Sequence, residues 1–211
     1  MQAQTKALSN RVRPQSSPLF DNSSCYGLVS RGLHWTMAIL FAWLFIGLGL
    51  EVGLGWHSSD YWVMPSHPNA GLLLGILAGL RSIWAIANWH VRPTYGTGGL
   101  AWCASVGHAI LYGLMLVVPL LALVRWSGMG RDFALYGIVP ILWSSTPKPA
   151  WEQFVEISCD ATHLTLHGWL GWSLLAAIAG HLAMVGVHRF ILNDGATAKM
   201  LGSSTLNGKN L

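Results

Sequence analysis

Long apolar runs separated by short polar stretches set the rhythm of this chain. A helix that crosses the hydrocarbon core of a bilayer needs roughly 20 apolar residues. Four stretches reach that length, at about 32–52, 65–89, 101–125 and 163–188. The first meets an acidic residue only at its end, Glu51. The second is interrupted by His67 and Arg81, the third contains Pro119, and the fourth has no Asp, Glu, Lys or Arg. The pattern predicts an all-α membrane protein built as a four-transmembrane-helix bundle. No internal repeat or low-complexity tract is present.

The bundle domain is expected over 31–190, between a polar tail at 1–30 and a second tail at 191–211. The first tail is rich in Asn, Ser, Gln and Pro and lacks the short apolar core of a secretory signal. It reads as a mobile cytoplasmic segment. The long third loop, 126–162, contains Trp143, Pro147, Pro149 and Trp151 and is expected to lay a short helix on the outer surface.

Lys and Arg in the flanks set the orientation. Lys6, Arg11, Arg13, Arg31, Arg92, Arg189, Lys199 and Lys209 all fall on one side of a four-span arrangement. The first loop, 52–64, has neither residue, and the basic residues of the third loop are diluted by Asp132, Glu152, Glu156 and Asp160. Both termini are therefore expected in the cytoplasm.

Composition agrees with this reading. Of 211 residues, 53% are hydrophobic and only 9% charged, and the mean hydropathy is +0.45; soluble domains carry roughly 25% charged residues. The net charge of +4 comes from scattered residues, with none of the Lys/Arg runs that nucleic-acid binding uses. A lipid bilayer, and no nucleic acid, is the expected partner. The cysteines, Cys25, Cys103 and Cys159, form no C-x-x-C pair, so a zinc ribbon, a thioredoxin-like site and c-type haem attachment have no support. Cys25 and Cys103 fall on the inner side and Cys159 on the outer, which argues against a structural disulfide.

The candidate chemistry lies in nine histidines. Ionisable residues within spans are costly and by default mark functional sites, although packing explains any single one equally well. Their arrangement is more informative. His167 and His181 stand fourteen apart on the fourth span. At 100° and about 1.5 Å per residue they share one helix face, roughly 21 Å apart, near opposite leaflets. His34 stands near the inner end of the first span and His67 near the outer end of the second. Depth therefore pairs His34 with His181, and His67 with His167. Two bis-histidine haems would then stack across the membrane. Arg81 lies fourteen after His67, on the same face and at the inner level. Pairing with a haem propionate or another partner would offset the cost of its charge; the alternative is that it snorkels to the inner surface. Gly71, Gly168, Gly171 and Gly180 near these histidines allow either a flat macrocycle or a neighbouring helix to come close.

The other histidines are less constrained. His163 is in phase with His181, but its depth would put a ligand among the headgroups. His188 lies at the membrane edge, as a propionate neighbour or a surface residue. His108, on the inner half of the third span, could hydrogen-bond a propionate, serve a quinone site, or simply pack. His57 and His90 read as loop residues.

His34-Trp35, the H-x-x-x-G of His67 to Gly71 with Arg81 downstream, Gly107-His108 and the fourteen-spaced pair of the last span together resemble the bacterial cytochrome b561 family. The likeness covers about 32–190 and leaves the first tail outside. That family is grouped with the four-helix dihaem cytochromes b that anchor Ni/Fe-hydrogenases and formate dehydrogenases. The resemblance implies two haems b held by His34, His67, His167 and His181. It also implies exchange of electrons with the quinone pool of the bacterial inner membrane and, for stand-alone members, oxidation of superoxide at the outer face with reduction of ubiquinone. Bis-histidine ligation leaves no open iron position, so no catalytic side chain is expected and the reading is an electron-transfer protein with a periplasmic-side donor. Two alternatives stay open. One is a cytochrome b anchor relaying electrons from a bound dehydrogenase or hydrogenase to quinone. The other is a histidine-lined metal transporter, against which stands the absence of intramembrane Asp and Glu other than Glu51. A quinone site is expected near Arg81 and His108.

Overall fold

The structure, a computed structural model, describes residues 19–55, 62–94, 96–143, 146–156 and 165–201. Among these, four helices are long and apolar enough to cross a membrane. Helix α1 is Leu28–Leu54, α2 is Val63–Ala87, α3 is Gly99–Gly128, and a later helix, Leu166–Gly186, is the fourth. The protein is a helical membrane bundle, as its apolar runs predict.

The helices run past the apolar stretches at several ends. α1 starts at Leu28, where Gly27 leaves the extended backbone, and takes in the polar Ser30 and Arg31. Hydropathy marks only the part in hydrocarbon, whereas backbone hydrogen bonding continues until a cap stops it. The stop of α1 is Gly55, whose φ of 66° is open to glycine at little cost and whose N–H reaches the Leu50 carbonyl.

The core runs along the α1–α2 seam. Met37 and Leu44 of α1 interlock with Ala70, Leu74 and Ala78 of α2, and Met115 and Leu116 of α3 pack against them. α3 lies against α2 through a close approach at Gly75: a Cβ there would sit 2.8 Å from Pro119 Cγ. Trp43 of α1 donates to Ser66 Oγ of α2 at 2.9 Å, which ties the two helices near the end of the seam that Lys and Arg in the flanks predict to be the outer one.

The outer loop is more ordered than a loop with one short helix. Strands β1 (Phe133–Leu135) and β2 (Val139–Leu142) form an antiparallel hairpin, with Phe133 opposite Leu142, Ala134 opposite Pro140 and Leu135 opposite Val139. Its turn residue Tyr136 has φ 51° and donates its N–H to Asn69 Oδ1 of α2 at 2.6 Å. The expected short helix is α4, Pro149–Val155. It packs so tightly under the end of α3 that a Cβ on Gly128 would meet the Glu152 backbone nitrogen at 2.7 Å. Arg125 and Glu156 pair across this joint at 2.7 Å.

The fourth long helix, α5 (Leu166–Gly186), is capped by Thr165, whose hydroxyl accepts from the Gly168 N–H at 3.2 Å. The expected start at 163 falls outside the described residues. α5 packs its backbone closely on α3 and continues as a π-helical turn, Val187–Leu192. A last short helix, α6 (Ala196–Leu201), occupies part of what was expected to be tail. Asp194 caps it, accepting from the Ala196 N–H at 3.0 Å and from His188 at 2.5 Å.

The described end of the first tail is packed, where a mobile segment was expected. Residues 19–27 are a packed strap beneath the inner ends of α1 and α2. Asp21, with a fully buried side chain, accepts from the Gly27 N–H and the Ser30 hydroxyl, both at 2.8 Å, and from Arg92 Nε at 3.1 Å. Phe20 stacks on Trp84 of α2, with ring centres 5.9 Å apart. Tyr26 donates its N–H to the Lys199 carbonyl of α6 at 3.2 Å, which joins strap and C-terminal helix. Polarity along the sequence suggested a solvated tail. A carboxylate with three donors and an apolar ring on Trp84 satisfy the same residues in a folded arrangement. Cys25 and Cys103 are free thiols, and Cys159 lies outside the described residues.

Candidate functional site

Helical phase brings the intramembrane histidines into two groups at opposite ends of the bundle. At the outer end, His67 from the start of α2 faces His167 from the first turn of α5, with ring centres 6.1 Å apart and planes at 72°. His167 Nδ1 lies 3.1 Å from the Val118 carbonyl of α3. A carbonyl only accepts, so Nδ1 carries the proton and Nε2 of the neutral ring is left with its lone pair. His67 Nδ1 is buried and makes no hydrogen bond among the described residues.

At the inner end, His34 of α1 faces His181 of α5 in nearly the same way, with ring centres 6.4 Å apart and planes at 71°. Four further side chains converge there. His108 of α3 lies edge-on to His181, at 5.4 Å between ring centres, and its Nδ1 is 2.7 Å from the Ala104 carbonyl. Arg81 of α2 reaches across the bundle, its Nη1 2.7 Å from His34 Nδ1. Its Nε donates to Tyr112 Oη of α3 at 3.0 Å. Trp35 rests edge-on against His34 at 5.4 Å.

The structure thus brings together all six residues singled out from the sequence. His67 and His167 form one group, and His34, Arg81, His108 and His181 the other. Arg81 points into the inner group instead of snorkelling. His188 does not join either group; it pairs with Asp194 at the membrane edge. His90 is exposed beyond α2, and His57 and His163 lie outside the described residues.

Sequence reasoning missed Tyr112. It stands four residues after His108, the spacing that puts two side chains on one helix face, so the signal was available. It also missed the layer just below the inner group. Ser30, one turn before His34, accepts from Trp84 Nε1 at 3.0 Å and donates to Asp21.

Between the groups lies an apolar layer. Leu174 is seven residues from both His167 and His181, and Leu74 is seven from both His67 and Arg81; each is only 4% exposed. Seven residues fall about 20° short of two turns, so each leucine lies on the same face as the polar groups above and below it.

These features define a class: a multi-pass helical membrane protein with paired histidines near each end of the bundle and an apolar layer between. The family model of prokaryotic cytochrome b561 matches residues 25–203. Among Escherichia coli (strain K12) proteins, cytochrome b561 homolog 2 is 26% identical over 183 residues, which cover 85% of this chain and 93% of that protein. Cytochrome b561 homolog 1 is 29% identical over 178 residues, covering 80% and 92%. The chain belongs to the prokaryotic cytochrome b561 family. It is accordingly a membrane b-type cytochrome, a haem-binding protein of electron transfer.

Proposed function

We propose that the protein holds two haems b, one between His34 and His181 and one between His67 and His167. In this reading it carries electrons across the bacterial inner membrane, between a donor on the outer side and the quinone pool. The observation that carries this is the matched separation of the two pairs, 6.4 and 6.1 Å between ring centres. A metal bonded to two imidazoles at about 2 Å, with each ring centre roughly 1.2 Å behind its nitrogen, separates the centres by about 6.4 Å. A direct hydrogen bond between two rings would bring them nearer. The lone pair left on His167 Nε2 by the Nδ1 contact to Val118, and the buried Nδ1 of His67 without a partner among the described residues, suit the same role.

The inner pair makes one further demand. A neutral imidazole that gives Nε2 to a metal carries its proton on Nδ1, and at His34 that proton would face another donor, Arg81. The guanidinium then needs a different acceptor, which a haem carboxylate supplies.

Bound haem with two histidine ligands supplies one-electron transfer at an iron with no open position. The residues of the chain do the rest. The histidines fix depth, Leu74 and Leu174 exclude water between the sites, and Arg81 offers a half-buried cation at the inner one. Lys and Arg in the flanks support placing the inner group and both termini in the cytoplasm. The quinone site is proposed at the inner group, around Arg81 and His108.

The donor that the family resemblance implies is superoxide. Two superoxide anions would each give up one electron and become dioxygen, and quinone would take both electrons with two protons to form quinol.

A haem assay and a reduced-minus-oxidised spectrum test the cofactor reading; two haems per chain are expected, and one or none overturns it. His34→Ala and His67→Ala should each remove one haem, and retention of both in either variant sinks the pairing. A dithionite-reduced protein that ubiquinone does not reoxidise would overturn the quinone assignment. Quinone reduction that fails under a superoxide flux would remove that donor.

A further inference from the structure

The polar groups of the inner site are unequal in their support. His34, His108 and His181 are anchored by their own helices, but Arg81 carries a long side chain whose charged end must be aimed. Lipid offers it no partner, and an unpaired guanidinium within a span is expensive. Its Nε is committed to Tyr112 Oη at 3.0 Å, and the guanidinium carbon lies 5.8 Å from the centre of the Tyr112 ring. With Nε fixed there, the terminal nitrogens are left on the side of His34. Tyr112 comes from α3 and His34 from α1, so Arg81 spans the bundle between two helices and Tyr112 holds it at one end.

We propose that Tyr112 is a positioning residue for the inner haem: it holds Arg81 by Nε and keeps the positive charge of the guanidinium beside the His34–His181 pair. This rests on the haem reading above. Its consequence is electrostatic. The ferric site carries one more positive charge than the ferrous site, so a cation held nearby favours reduction and raises the potential of that haem. If the guanidinium meets a haem carboxylate, its loss leaves that anion uncompensated, and the potential moves in the same direction. The outer pair, about 21 Å away along α5, should be nearly insensitive.

The test is a redox titration of the purified protein in detergent, following both haems by absorbance. Arg81→Gln should lower the potential of the inner haem and leave the outer one in place. Tyr112→Phe keeps the ring and removes the acceptor; it should lower the same potential by a smaller amount. The double variant should match Arg81→Gln alone, because Tyr112 acts only through Arg81. An inner potential unchanged by Tyr112→Phe, or a double variant equal to the sum of the two, overturns the proposal. The outer potential reports whether each variant is intact. Should Tyr112→Phe fail to accumulate, Arg81→Lys asks the same question from the other side. It keeps the charge but has no second nitrogen for Tyr112, so it should give an inner potential between those of the parent and Arg81→Gln; a parental value overturns the proposal. Failure of the haem reading is told apart by His34→Ala: retention of both haems there refutes the ligation, whatever Tyr112→Phe does.

Discussion

Replacing Asp21 by Asn should release the strap from the inner face of the bundle. The substitution keeps the shape of the side chain. It removes the charge and turns one acceptor into a donor, which then confronts the Ser30 hydroxyl or Arg92 Nε, both now at Asp21 Oδ2. Breaking a fully buried ion pair typically costs about 3–5 kcal/mol, mostly because the partner charge is left stranded. Arg92 is less trapped than that. Its side chain is 15% exposed, and its guanidinium lies 5.3 Å from the centre of the Tyr26 ring, so it recovers some hydration and keeps a cation–π contact. A cost of about 2 kcal/mol to strap closure is therefore expected, equivalent to about a thirtyfold rise in the open population.

Cys25 sits in the strap, half-buried and free, with its sulfur 3.5 Å from Asn22 Nδ2. With Cys103 and Cys159 changed to Ser, the rate of maleimide labelling at Cys25 reports strap opening, provided reclosing outpaces labelling. Asp21→Asn should raise that rate by up to about thirtyfold while haem content stays constant. Arg92→Gln should act similarly, and the two together should cost less than their sum, because either one already breaks the pair. A labelling rate equal to the parent in Asp21→Asn, or strict additivity in the double variant, would refute the clasp.

Three further outcomes follow from the packing and the caps. Gly75→Val should lower the thermal midpoint in detergent, with a cost of about 1–3 kcal/mol, because its Cβ would press on Pro119 where α2 meets α3; an unchanged midpoint would mean that the helices can part freely there. Gly128→Ala should displace α4 from α3, because it meets backbone atoms of Glu152 that cannot rotate away, and faster amide exchange through Pro149–Val155 would register it. Burial alone would raise the Asp194 carboxyl, but the Ala196 N–H and His188 outweigh it and hold the group below its ordinary 3.8. The folded state thus binds fewer protons than the unfolded one around that value. The cap is fully effective above pH 3.8 and is lost as pH falls through the lower folded value. Amide exchange across Ala196–Leu201, corrected for intrinsic rates, should speed up below that point in the parent and not in Asp194→Ala.

The transmembrane helices and the facing histidines were legible because both follow from local regularities. Apolar length marks a span wherever it occurs, and helical phase fixes which residues share a face before any tertiary contact is known. His167 and His181 could thus be placed on one side of α5 from their spacing alone, and Arg81 on the face of His67. The parts that escaped depend on partners distant in sequence. Asp21 looks like one polar residue among many until Arg92, seventy-one positions later, comes to it. The hairpin has a weak local signal. Phe133–Leu142 reads as loop until Tyr136 takes a positive φ and binds Asn69 of α2. Tyr112 falls between these cases: its phase with His108 was readable, but its bond to Arg81 required the α2–α3 packing.

The distribution of polar groups along the bundle normal carries a physical logic of its own. Each end of the bundle has a cluster of histidines, and the level between them is filled by Leu74 and Leu174, which are almost wholly covered. An apolar middle keeps water and counter-ions out, so the two clusters interact weakly as charges and can differ in potential. The clusters differ in this chain: the inner one has Arg81, His108 and Tyr112 around its pair, whereas the outer one has the Val118 carbonyl and no described cation in contact. A half-buried cation raises the potential of the site beside it. If the two pairs hold haems as proposed, the inner haem should on that ground be the higher-potential member, and electrons from a donor on the outer side would run downhill toward it.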